Sequence, residues 1–210
     1  MRDGKATLDD WLDRHFAETL PVGVLARNVV FLALAGLVPV LVVYITREPA
    51  LWAHLRHSPG AGGAFLRQIL SNGLPVVVIV TAIGVLMRAQ MQRWALRAGA
   101  ALALDMTLRI SGFVGLHVVI YPVSALAFGS FGGDPEQALR VLWPTLLQSA
   151  GFVNLSGVYL YAVLICALPV QLAVLSRMAD LSRSLLGVAA LGLIAVQAVV
   201  LTGLVRLLIA

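Results

Sequence analysis

Residues 109–132 read RISGFVGLHVVIYPVSALAFGSFG, and after Arg109 this stretch holds no Asp, Glu, Lys or Arg. A helix rises about 1.5 Å per residue, so such a run is long enough to cross a hydrocarbon layer of about 30 Å. It carries His117, the one histidine set inside a long apolar run, with Tyr121 a turn later and Pro122 beside it. Residues four apart share a helix face, so His117 and Tyr121 are expected to lie together. An ionisable side chain in such a run is costly and is expected to face a bundle interior or a water-filled cavity.

The bulk composition agrees with a membrane-spanning reading. Hydrophobic residues make up 60% of the 210-residue chain and charged residues 12%. Globular domains carry about twice that share of charge, so long apolar runs joined by Arg-bearing connectors imply an integral membrane protein. The net charge of +5 does not point to nucleic acid. The arginines sit at the ends of apolar runs, where they set orientation, and form no dense basic face. The single cysteine, Cys166, has no partner for a disulfide and no metal-ligand spacing, and reads as a small buried hydrophobe. No cleaved signal peptide is expected, because the first 27 residues are mixed and acidic.

Outward from the central stretch, the pattern predicts an all-α polytopic membrane protein with about five transmembrane helices and an N-terminal interfacial amphipathic helix. Residues 1–27 form the N-terminal segment, in which TLDDWLDRHFAETL (7–20) reads as the amphipathic helix. Thr7 would cap it, Leu8, Trp11, Leu12, His15 and Phe16 would share one face, and Asp9, Asp10 and Asp13 would face away. The bundle occupies 28–210, with spans at about 28–46, 66–87, 109–131, 152–175 and 184–205. Residues 88–109 are read as a basic connector, and Asp105 within it as an interruption, so no Asp or Glu is expected inside a span. Asp134 is expected to cap a helix that starts at Pro135. Trp143-Pro144 is expected to break the following run, leaving an interfacial or re-entrant segment before the fourth span. Of the fifteen Lys and Arg residues, ten fall on the N-terminal side of such a chain and five on the other. By the positive-inside rule this places the N-terminus in the cytoplasm and the C-terminus outside, in a bacterial-type inner membrane.

Few residues offer chemistry. His117 reads first as a hydrogen-bonded structural residue, and alternatively as part of a proton or substrate path or as an axial ligand. Asn154 and Gln197, with Tyr159, Tyr161, Gln171 and Thr202, form a polar set suited to interhelical hydrogen bonds or to lining a path. Ser111/Gly115 and Ala125/Gly129 suit close helix contacts within the bundle or with another copy. His54 and His57 have a spacing that brings two imidazoles together, but a stable metal site needs more ligands. Pro-Val pairs recur at Pro39, Pro75, Pro122 and Pro169, one in each of the first four spans. No phosphate loop, metalloprotease helix or nucleophile elbow is present, so no catalytic residue is assigned.

The run LAGLVPVL (34–41) and the spacing Arg109…His117…Tyr121 resemble the ferric-reductase-like haem membrane subunits of bacterial methionine-sulfoxide repair systems. The likeness covers about a third of the chain and implies haem held through His117. It departs from that family in having no histidine in a later span.

Together these features favour a non-enzymatic accessory, assembly or stabilising subunit of a larger membrane complex. Its partners would be the lipid bilayer and other membrane-protein subunits, with no nucleic acid. His117, Tyr121, Pro122, Gly115, Asn154 and Gln197 would serve as packing, partner or pathway residues. The alternatives are a small-solute transporter or permease-like protein with proline-broken helices, and a redox subunit holding haem or another tetrapyrrole through His117.

Overall fold

The computed structural model of the chain describes residues 8–177 and 183–209, and among these residues there is no strand. The helices are α1 (Leu8–Phe16), α2 (Val22–Arg47), α3 (Pro49–His57), α4 (Ala61–Gln68), α5 (Leu74–Arg93), α6 (Ala98–Phe128), α7 (Pro135–Ala150), α8 (Leu155–Ser176) and α9 (Arg183–Ile209). Five helical stretches are long and apolar enough to cross a membrane: α2, α4 to α5 taken together, α6, α8 and α9.

The second of these stretches runs from Ala61 to Arg93 through a π-helical turn at Ile69–Gly73. Pro75 has no N–H to give the carbonyl four residues back, and the wider turn before it absorbs the mismatch. Gly73 is required for a second reason, since a Cβ there would overlap the Tyr159 ring.

Three boundaries differ from expectation. The third long helix starts at Ala98, not Arg109, so Asp105 lies inside α6 rather than in a connector. Helix α7 is not broken at Trp143-Pro144, because Pro144 lies inside it. The Thr145 hydroxyl donates to the Val141 carbonyl at 2.8 Å, supplying a donor beside the turn the proline disturbs. The reversal falls at 151–154, where Phe152 takes a left-handed backbone and Asn154 caps α8 by accepting from the Gly157 N–H at 2.9 Å. As expected, Asp134 caps α7, accepting from the Glu136 N–H at 2.8 Å.

Helix α8 is the hub. It packs against α1, α2, α5, α6, α7 and α9, and Val158, Ala162, Val163, Cys166 and Ala167 are fully buried along it. A helix apolar on all sides belongs in such a central position. It lies close against α2, where a Cβ at Gly36 would lie 2.9 Å from the Ala162 carbonyl oxygen.

Helix α1 covers one end of the bundle. Leu12 and Phe16 pack on Val29, Val85, Val170 and Ala173. Asp9 and Asp13 do not face away, as the amphipathic pattern alone suggested. Asp9 pairs with Arg88 at 2.9 Å and Arg177 at 2.6 Å, Asp13 with Arg88 at 2.7 Å, and Glu18 with Arg93 at 2.7 Å. Burial alone would raise the Asp9 carboxyl, but its bonds to Arg177 and Arg88 outweigh that and hold it below the ordinary value. The docking surface of α1 is therefore the chain's own bundle. The expected Thr7 cap lies outside the described residues.

Candidate functional site

The buried face of α6 follows a row of residues four apart: Ala101, Asp105, Arg109, Phe113, His117 and Ala125 are buried, with Tyr121 half-buried in the same row. Two of these are charged. Arg109 is fully buried and Asp105 is 1% exposed, about 16 Å along α6 from its start in the case of Arg109.

Asp105 accepts three hydrogen bonds. Arg109 Nε donates to both carboxylate oxygens at 3.0 Å, and Gln171 Nε2 donates to Oδ2 at 3.0 Å. Gln197 in turn donates through Nε2 to Gln171 Oε1. Helices α6, α8 and α9 thus meet on one chain of polar contacts. Helix α5 supplies the floor under the guanidinium, since a Cβ at Gly84 would overlap Arg109. Charge is balanced within the pair, as burial of either ion alone would cost several kcal/mol. Hydrogen bonding is not complete: Arg109 Nη1 and Nη2 have no acceptor among the described residues.

Three cavities lie along α6, and the third of them reaches Gln171 and Gln197. The first, of about 230 Å³, lies towards the C-terminal end of α6 and is lined by His117, Tyr121 and Tyr159 with Gln68, Asn72 and Ser124. His117 Nδ1 lies 2.9 Å from the Phe113 carbonyl oxygen. A carbonyl only accepts, so Nδ1 carries the proton there and Nε2 is left as an acceptor. The centre of the His117 ring lies 4.2 Å from that of Phe113 and 6.0 Å from that of Tyr121, with the ring tilted by 44° and 42° to them. The Tyr159 hydroxyl is buried and has no partner among the described residues. Phe113 stands between His117 and Arg109 in the four-residue row. The second cavity, of about 150 Å³, lies at the opposite end between Arg88, Ala101, Val170, Ala173 and Arg177, one helical turn from Asp105. The third, of about 350 Å³, is a largely apolar cleft between α6 and α9 with Gln171 and Gln197 in its wall.

The residues singled out from sequence separate into distinct places. His117 and Tyr121 share one cavity, and Gln197 joins the buried charge cluster. Asn154 is structural: besides capping α8 it donates to the Thr145 carbonyl at 3.0 Å and so joins α7 to α8. Pro122 sits half-buried inside α6. Gly115 faces outward, with nothing within 4 Å of a Cβ placed there, so it does not pack inside the bundle. His54 and His57 are held by Ser58 at 3.0 Å and by the Ala53 carbonyl at 2.8 Å, and no group of three metal-ligating side chains occurs among the described residues.

The sequence alone makes Asp105 an interruption in a connector and Arg109 the point where connector and third span meet, whereas both lie well inside α6. The expectation that no carboxylate lies within a long apolar helix is therefore corrected. The signal that could have found the pair is the four-residue row itself, which links Asp105 and Arg109 to His117 and Tyr121 on one face. Around His117, Nδ1 is engaged by the Phe113 carbonyl, Nε2 is left as an acceptor, and no second histidine, methionine or cysteine lines the cavity. No protein-family model, curated protein or solved structure matches the chain.

Proposed function

We propose that the protein is a five-span membrane protein of permease type, which passes a small neutral hydrogen-bonding solute along the buried face of α6. The observation that carries this reading is the Asp105–Arg109 pair, buried in the interior and left with unused guanidinium N–H groups. Ionisable side chains in such positions mark substrate or proton paths. Cavities with polar side chains in their walls lie towards both ends of α6, on either side of the pair, and Arg109 offers donors where the His117 row offers acceptors. The pair has no net charge to attract an ion, which favours a neutral solute. Cavities of about 150 and 230 Å³ suit a molecule of a few heavy atoms. The excess of Lys and Arg towards the N-terminal side supports a cytoplasmic N-terminus.

Membrane vesicles holding a Cys166→Ala background test the path without knowledge of the solute. A charged, impermeant thiol reagent should modify His117→Cys from one face and Ala101→Cys from the other. Glycerol or urea should enter proteoliposomes faster than protein-free vesicles, and Arg109→Gln should abolish the difference. Modification of both cysteines from one face, or uptake that Arg109→Gln leaves intact, would overturn the reading.

An accessory or assembly subunit is the second reading, and α9 favours it. This helix packs chiefly on α8 and α7, and Leu191, Val199 and Leu207 are each at least 70% exposed. Such a helix is available to a neighbouring subunit. Co-purification of a stoichiometric membrane partner in mild detergent would support this reading, and a lone chain would remove it.

A further inference from the structure

We propose that the groove between α2 and α8 is a binding site for one anionic phospholipid, whose phosphate sits at Arg47 and whose acyl chain lies along the groove. The proposal rests on the bundle lying in a bilayer and is independent of any transport role. The groove encloses about 420 Å³ and is walled by Pro39, Val40, Val43, Arg47, Phe152 and Ile165. From Arg47 down to Pro39 is eight residues, or about 12 Å of helix. That is close to the depth of one leaflet of a hydrocarbon core about 30 Å thick. The polar end is therefore placed at headgroup level and the apolar end within the acyl region.

Arg47 makes no ion pair with a carboxylate among the described residues. Its guanidinium lies 5.5 Å from the centre of the Phe152 ring, held by a contact that leaves its N–H groups free for an anion. Phe152 is itself fixed from several sides. Its φ of 58° is left-handed, a conformation that non-glycine residues rarely adopt. Tyr44 and Tyr161 meet its ring edge-on at 5.6 and 5.4 Å, and the Tyr161 hydroxyl donates to the Ala150 carbonyl at 2.7 Å, pinning the turn. Strained residues over-determined in this way cluster at ligand clamps. The combination of a free cation, a preformed aromatic shelf and an apolar trough below fits a lipid with a negative headgroup. Free phosphate would use the cation and leave the trough empty.

Native mass spectrometry of the full chain in a neutral detergent tests this directly. Phosphatidylglycerol and phosphatidylcholine of identical acyl chains are titrated in parallel. The expected result is a single bound phosphatidylglycerol favoured about fivefold, the effect of one basic residue on an anionic lipid. Arg47→Gln should remove the preference, and Val43→Trp, which fills the trough, should weaken binding of that lipid. Millimolar inorganic phosphate should fail to displace it. Equal binding of both lipids, an unchanged preference in Arg47→Gln, or displacement by inorganic phosphate would overturn the proposal. Protection of the Cys166 thiol from labelling reports that each variant is folded, so a lost preference is not mistaken for a lost fold.

Discussion

Asp105→Asn keeps the shape of the side chain and removes its charge. Arg109, whose side chain is 0% exposed, is then left in the interior without a counter-charge. Two unit charges about 4 Å apart attract by about 4 kcal/mol at an effective dielectric constant of about 20. Breaking a buried pair by removing one partner costs about 3–5 kcal/mol, and the two figures agree. Gln171 loses part of its acceptor as well, so the contact that carries α9 through Gln197 is loosened at the same time. The single thiol of the chain reports the outcome. Cys166 is fully buried and donates to the Leu32 carbonyl at 3.2 Å, so a thiol reagent reaches it only when α2 and α8 part. Where opening is fast and reversible, the labelling rate follows the open population. A loss of about 3–5 kcal/mol should raise that rate by roughly two to three and a half powers of ten. Adding Arg109→Gln to Asp105→Asn removes the stranded charge and should restore most of the protection. Labelling of Asp105→Asn within tenfold of the native rate would refute a buried, charge-paired Arg109. A double variant that labels as fast as the single one would show that charge is not the source of the cost.

Two glycines on either side of the bundle give opposite outcomes. Gly84→Ala places a methyl group into the Arg109 guanidinium and should cost about 1–3 kcal/mol, read as faster Cys166 labelling. Gly115 is exposed and a Cβ there meets nothing within 4 Å, so Gly115→Leu should leave that rate unchanged, and a marked acceleration would show that α6 is turned differently. At the covered end, the Asp9 carboxyl is held below its ordinary value of 3.8 by Arg177 and Arg88. A lowered pKa in the folded state means its contribution is present above about pH 4 and is lost as pH falls through the lowered value. Amide protection across 8–16, relative to intrinsic exchange at each pH, should therefore hold from pH 7 to 5 and fall only below pH 3.8, while Asp9→Asn should lose protection at neutral pH. Loss of protection between pH 7 and 5 would contradict the ion-paired docking of α1.

Five apolar stretches and the helical class were legible because they depend on length and composition over about twenty residues, which any one segment displays by itself. The capping of α7 by Asp134 was legible for the same reason, as a local signal. His117 and Tyr121 sharing a face followed from helical spacing. Asp105 was misjudged because a single carboxylate in an apolar run reads as a boundary when its helix is considered alone. The Trp143-Pro144 break was misplaced because a proline within a helix can be accommodated locally, while the turn at 151–154 depends on Tyr44 and Tyr161 holding Phe152 in a left-handed backbone.

The amino-acid sequence by itself determined that this chain forms long apolar helices, how many are long enough to cross a bilayer, and which short segment is amphipathic. Tertiary structure alone decided which face each helix turns inward. Asp105 and Arg109 are tolerable only because Gln171, 66 positions on from Asp105, and Gly84 on another helix come to the same place. Length and hydropathy are properties of a segment. The cost of a buried charge depends on what surrounds it, and those partners are distant in sequence.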